Sequence, residues 1–137
     1  MKTGGVDRVV IVVRDIEKAS KSYSELLGIS FWDAGVREDF GVRAMVSWDG
    51  GIELISPIDA NSEAARFLEE RGEGLFGVIF KVSDIGEARA RAEEKGFCVT
   101  GEVDCGLPAG FKVFKEITLH PKDTHGIVVA LVQSERA

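Results

Sequence analysis

Charged side chains set into apolar runs are the first candidates for chemistry in this sequence. Arg8 heads Val9-Val10-Ile11-Val12-Val13, Glu53 lies within Ile52-Glu53-Leu54-Ile55, Lys81 follows Val78-Ile79-Phe80, and Lys115 and Glu116 sit inside Phe111 to Leu119. A guanidinium fixed on a strand can hold a carboxylate or a developing oxyanion, and a neighbouring carboxylate can orient that cation or move a proton. The plain alternative is an ion pair, which contributes little net stability once desolvation is counted. His120 and His125 are the chain's two histidines and flank a turn, where a histidine is most often structural or solvated. Trp48, Phe40, Met45 and Phe114 could form an apolar wall for an acyl or aromatic ligand, with core packing the competing role for each. Cys98 and Cys105 have no histidine at zinc-site spacing and read as two free thiols.

The elements that must position these residues come in two copies. Val6 to Ala19 is an apolar β-branched run, an Asp, then an Ile and an Ala three apart, and the pattern returns at Phe76 to Ala88. Val9 matches Val78 and Asp15 matches Asp84, both at an offset of 69. Each copy predicts a buried strand feeding a capped amphipathic helix. The first strand is expected at Arg8 to Val13, after Met1 to Gly5, which reads as a frayed end or a dimer contact. Asp15 caps a helix with Ile16, Ala19, Tyr23, Leu26 and Leu27 inward, and Gly28 stops it. Strands follow at Phe31 to Val36 and at Val42 to Trp48, where alternation predicts a half-buried strand. Asp49-Gly50-Gly51 then turns into Ile52 to Ile55. Asn61 to Arg71 is a connector helix with Ala64, Ala65, Phe67 and Leu68 inward. The second copy has a strand at Val78 to Val82 and a helix from the Asp84-x-x-Glu87 capping box to Lys95, ended by Gly96. Strands at Phe97 to Val103, Phe111 to Leu119 and Ile127 to Val132 complete it, with a mobile loop at Gly106 to Gly110 and a turn at His120 to Asp123.

The expected architecture is α+β: two tandem βαβββ modules forming a curved, cup-like mixed sheet with helices outside. One domain spans 1–137, with module one at 6–56, the connector helix within 57–75 and module two at 76–133. Side chains alternate between cup and helices, so if Val9, Ile11 and Val13 pack under the helix, Arg8, Val10 and Val12 line the cup. The same parity, with Gly77 and Ile79, carries Lys81 to the interior.

Composition narrows the partners. The chain has 137 residues, 45% hydrophobic and 29% charged, an ordinary balance for a soluble globular protein. A net charge of −6 without a Lys/Arg cluster excludes nucleic acid as the expected partner. No apolar run approaches the roughly 20 residues of a membrane span, and no signal-peptide pattern opens the sequence, so a cytoplasmic location is expected.

The sequence resembles the vicinal oxygen chelate superfamily of glyoxalase I, bleomycin-resistance proteins and extradiol dioxygenases, and within it the methylmalonyl-CoA epimerases. The resemblance covers about residues 6–133. It rests on Val13-Arg14-Asp15-Ile16-Glu17, Leu27-Gly28, Gly41-Val42-Arg43, Ile52-Glu53-Leu54-Ile55-Ser56-Pro57, Phe67-Leu68-Glu69, Gly72-Glu73-Gly74 and Leu119-His120-Pro121-Lys122-Asp123. It implies a glyoxalase-like fold, a homodimer, and a divalent metal held by a His at the head of the first strand, a Gln or Glu in the fourth, a His at the head of the fifth and a Glu in the eighth. Those positions hold Arg8, Glu53, Gly77 and Ala130 here. One carboxylate beside a permanent cation is a poor donor set for a metal needing three or more ligands, so no metal and no other cofactor is expected. The epimerase-like acid before the Gly-Val turn survives as Asp39 or Glu38, followed by Phe40.

Three functional readings follow. The first is a metal-independent enzyme binding a small carboxylate or acyl-CoA-type ligand and transferring a proton in an epimerase-, isomerase- or lyase-like step. In it Arg8 is the electrostatic stabiliser, Glu53 or Asp39 the base, and Lys81, Arg43, Trp48, Glu116 and His120 contact the ligand. The second is a non-catalytic protein that sequesters a drug or metabolite. The third is a structural or regulatory relative that has lost its chemistry.

Overall fold

The computed structural model of the chain describes residues 3–103 and 107–137. Cys105 and Gly106 lie outside them. The chain forms two compact units, one of Arg8–Phe76 and one of Met1–Asp7 with Gly77–Ala137.

In the Arg8–Phe76 unit, β1 (Thr3–Val12, entering the unit at Arg8) leads to α1 (Ile16–Leu27), β2 (Trp32–Arg37), β3 (Val42–Ser47), β4 (Ile52–Pro57) and α2 (Glu63–Arg71). Its strands are ordered β2-β3-β4-β1, antiparallel except for the parallel β4–β1 pair that the intervening helix makes possible. The Asp15 carboxylate accepts from the Lys18 amide and starts α1, and Gly28 closes it at φ 66°, a left-handed turn that costs glycine little. Val13, Ile16, Met45, Ile52 and Leu54 form a buried cluster, with Val9, Ile11, Ala19, Tyr23, Ile29 and Phe31 packed on it. Ile16, Ala19 and Tyr23 therefore face in as the periodicity predicts. Leu26 and Leu27, expected on the same face, are 77% and 52% exposed; the buried residues of α1 are Ile16 and Ser20, in its first half. In β3 only Arg43 is not buried, so the strand is covered on both faces rather than one. Ser62, bonded through its hydroxyl to the Ala65 amide, caps α2 just inside the expected start, and Ala64 and Leu68 are its buried residues.

The other unit holds the head of β1, then β5 (Gly74–Val82, from Gly77 on), α3 (Ile85–Glu94), β6 (Val99–Val103), β7 (Phe111–Leu119) and β8 (Val128–Arg136), with a short 3₁₀ turn at Pro121–Asp123. Its strand order is β5-β8-β7-β6, with β5 and β8 parallel. The Asp84 carboxylate accepts from the Glu87 amide, as the capping box predicts. Two strand ends differ from expectation. Thr3 to Gly5 is strand and not a frayed end, and the Thr3 hydroxyl donates to the Lys81 carbonyl. β8 continues to Arg136 because Phe111 to Lys115 pair with its polar end, through Arg136, Glu135, Ser134 and Gln133.

Candidate functional site

Register fixes which side chains share a face. Across the Arg8–Phe76 unit, Trp32 pairs with Val46, Val46 with Glu53 and Glu53 with Val10, forming one row over four strands. Because side chains alternate, Arg8 and Val12 join that row's face, while Met45, Leu54 and Ile11 point to the α1 side. The parity read from the first strand is thus the observed one. Met45, a candidate for the ligand wall, packs in the α1 cluster on the opposite face instead.

Arg8 is the centre of this face. It is 3% exposed, its Nε donates to Glu53 Oε1 at 2.9 Å, and its guanidinium carbon lies 5.0 Å from the centroid of the Trp48 ring. Glu53 retains more exposure, so the pair presents a carboxylate toward solvent and keeps the cation deep. Trp48 also meets Trp32, ring centroids 6.2 Å apart and tilted by 33°. A buried, always-charged guanidinium with a carboxylate on one edge and an indole face over it is preorganised to hold an oxyanion.

Each remaining candidate has its own surroundings within its unit. Arg43 shares the parity of Met45, bonds Asp33 at 2.9 Å and Glu17 of α1 at 2.6 Å, and so straps β2 and β3 to α1 on the face away from Arg8. The Arg43 guanidinium holds the Asp33 carboxyl below its ordinary range, helped by the Gly35 amide, and the two carboxylates raise Arg43 in turn. Asp39 and Phe40 lie exposed on the turn between β2 and β3. In the other unit, Lys81 is exposed, with Nζ 3.8 Å from the Asp7 carboxylate, since its alkyl chain carries the ammonium out to water. Glu116 is 9% exposed and shares a face with Val132 and Lys81. His120 caps the 3₁₀ turn, its Nδ1 accepting from the Lys122 amide. Phe114 packs edge-on against Phe111. Cys98 is exposed with a free thiol, its amide donating to Asp123.

The repeat holds at the level of register. Val10 pairs with Glu53, and the equivalent Ile79 pairs with Ala130, so Glu53 and Ala130 are matching positions of the two units. Gly77 matches Arg8 in the same frame. A Cβ on Gly77 would stand 2.4 Å from the Val128 carbonyl oxygen, which leaves no room there for any side chain without backbone movement. Among the described residues no three His, Cys, Asp or Glu side chains are grouped as metal ligands. Also among the described residues, no helix is long and apolar enough to cross a membrane.

Trp32 was absent from the sequence candidates. It is the first residue of its strand, and a register shift between Asp33 and Gly35 obscures the alternation that would have aligned it with Glu53.

Fold and register together define a glyoxalase-like α+β protein, and residues 7–114 match the glyoxalase/bleomycin resistance protein/dioxygenase superfamily, to which the chain belongs. Within it the chain is similar to methylmalonyl-CoA epimerases. It is 33% identical over 133 residues to the ethylmalonyl-CoA/methylmalonyl-CoA epimerase of Cereibacter sphaeroides, covering 95% of this chain and 98% of that protein. The crystal structure of methylmalonyl-CoA epimerase from Mycobacterium tuberculosis superimposes with a TM-score of 0.78 at 28% identity, covering 97% of this chain and 89% of that one. The Streptomyces coelicolor methylmalonyl-CoA epimerase in complex with 2-nitronate-propionyl-CoA gives 0.80 at 26% identity, with 97% and 99% covered.

Proposed function

We propose that this protein binds an acyl-CoA-type ester through its carbonyl or carboxylate at Arg8 and moves the proton on the carbon next to that carbonyl, without a divalent metal. The observation that carries the reading is the buried Arg8 guanidinium bonded to Glu53 at 2.9 Å. Similarity to epimerases of CoA esters supports the ligand class. The four positions that would hold the superfamily's metal supply one carboxylate, and it is already committed to a cation, so this donor set does not fit a divalent ion.

In this reading the thioester oxygen rests on the guanidinium. Glu53 accepts the proton from the α-carbon, and the electron pair moves onto the thioester oxygen as an enolate whose charge Arg8 balances. Reprotonation from water on the opposite face inverts the carbon, and the hydroxide so formed takes the proton from Glu53 to restore the base; return of the Glu53 proton to the first face instead regenerates the starting ester. The low-dielectric setting of Arg8 strengthens the interaction as charge develops on the oxygen.

Calorimetric titration with propionyl-CoA tests the binding step. Arg8→Met, of similar length but neutral, should weaken affinity by about tenfold to a hundredfold, the worth of a charge-assisted hydrogen bond. Arg8→Lys should recover only part of it, because an ammonium lacks the planar fork. Equal affinity in all three proteins would contradict the reading. Binding retained with no α-proton exchange in the unaltered protein would favour the sequestering protein over the enzyme.

A further inference from the structure

We infer that Trp48 is a positioning residue for the reaction proposed above: its indole fixes the tilt of the Arg8 guanidinium, and so the direction in which Arg8 meets a developing oxyanion. The inference rests on that reading of the site. Two contacts hold Arg8 in different ways. The bond to Glu53 Oε1, 2.9 Å long, comes from an N–H that lies in the guanidinium plane and fixes one edge of it. The Trp48 ring bears on the guanidinium carbon, 5.0 Å from the ring centroid and inside the roughly 6 Å range of a cation–π contact. A hydrogen bond at one edge resists sliding of that edge, and an aromatic ring at the carbon resists tilting about it.

The backbone around Trp48 keeps it in register with Arg8. Trp48 follows Ser47, the last residue of β3, in the turn into β4. Ser47 is 1% exposed; its hydroxyl oxygen accepts from the Gly50 amide at 3.1 Å, and its carbonyl accepts from the Gly51 amide at 2.9 Å. The Gly51 carbonyl in turn accepts from the amide of Val9, the residue next to Arg8, at 2.9 Å. One bond thus joins the strand that carries the cation to the turn that carries the ring. The turn is also tightly filled, since a Cβ at Gly50 would stand 2.7 Å from Ile29 Cδ1 and 2.8 Å from the Ser47 hydroxyl oxygen. Trp32 meets the Trp48 ring at 6.2 Å between centroids and limits its swing. Misplacing a reacting group by about 1 Å costs up to about a hundredfold in rate, so a guanidinium that tilts forfeits part of its effect.

Two readouts in the full chain test the role. The Arg8 Nε–H proton resonance, identified by its loss in Arg8→Met, senses the ring current of Trp48 and needs no ligand. In Trp48→Leu it should shift, and the side-chain order read from its heteronuclear NOE should fall. Exchange of the α-proton of methylmalonyl-CoA in deuterium oxide should slow about tenfold in Trp48→Leu and return to within about threefold of the unaltered rate in Trp48→Phe. Added to Arg8→Met, Trp48→Leu should slow exchange no further, because the group it positions is gone. Circular dichroism checks that each variant is folded. Trp48→Phe, which should move the Arg8 resonance part of the way, keeps the test decisive if the leucine variant fails to fold. An Arg8 resonance unmoved in the Trp48 variants, an exchange rate unchanged in Trp48→Leu, or losses that multiply in the double variant would overturn the inference and leave the proposed function standing. No exchange by the unaltered protein would overturn the proposed function and this role with it.

Discussion

A methyl group at position 77 would collide with the Val128 carbonyl, and that single contact constrains both stability and chemistry. Gly77→Ala should lower unfolding free energy by about 2 kcal/mol, the usual cost of forcing atoms into a filled space, measured from the urea midpoint. An unchanged midpoint would mean that the backbone at Val128 gives way easily. Arg8, its counterpart in the repeat, was legible in the sequence as a charge at the head of an apolar strand, and alternation placed it on the face opposite α1, where it is found. Glu53 was legible in the same way. The bond between them was not, because parity assigns a face and only register brings two residues together across strands. Trp32 and Met45 mark where the same logic breaks. A bulge hid the face of Trp32, and Met45 lies in a strand buried on both sides, where burial carries no face information.

At the scale of elements, the starts of α1 and α3 were read correctly because capping is local chemistry: Asp15 and Asp84 each accept the amide three residues on. Asp15→Ala and Asp84→Ala should each cost about 1 kcal/mol in denaturant unfolding, with Asp→Asn close to neutral. Strand ends were read less well, since Thr3 and Arg136 are held by partners far away in the chain. Arg43, expected to contact the ligand, straps β2 and β3 to α1, a role that depends on tertiary neighbours. The strap carries a pH dependence. Asp33 is held below its ordinary range chiefly by the Arg43 hydrogen bond, so its stabilisation is present above the ordinary carboxylate pKa and is lost as pH falls through the lowered one. Both side chains are well exposed and screened, so the effect is small. Asp33→Asn should flatten the acid limb of a stability-against-pH curve slightly, and an identical limb would show that the strap contributes nothing.

For the whole molecule, two βαβββ units with matching registers account for the fold, and the 69-residue offset in the sequence marks them. Duplication was legible because spacing survives divergence. Function was harder to read, because it depends on which side chains now occupy the matching positions. Arg8, Glu53, Gly77 and Ala130 offer a cation, one carboxylate and two residues without donors. The proposed function is therefore proton transfer supported by a guanidinium. Its most direct test follows the α-proton of methylmalonyl-CoA by proton NMR in deuterium oxide, using protein stripped of metal and kept with a chelator. The signal should disappear at the same rate with and without chelator, and at least about a hundredfold more slowly in Arg8→Met, as removal of an oxyanion-stabilising donor requires. Exchange that appears only when a divalent ion is added, or that proceeds unchanged in Arg8→Met, would contradict the account.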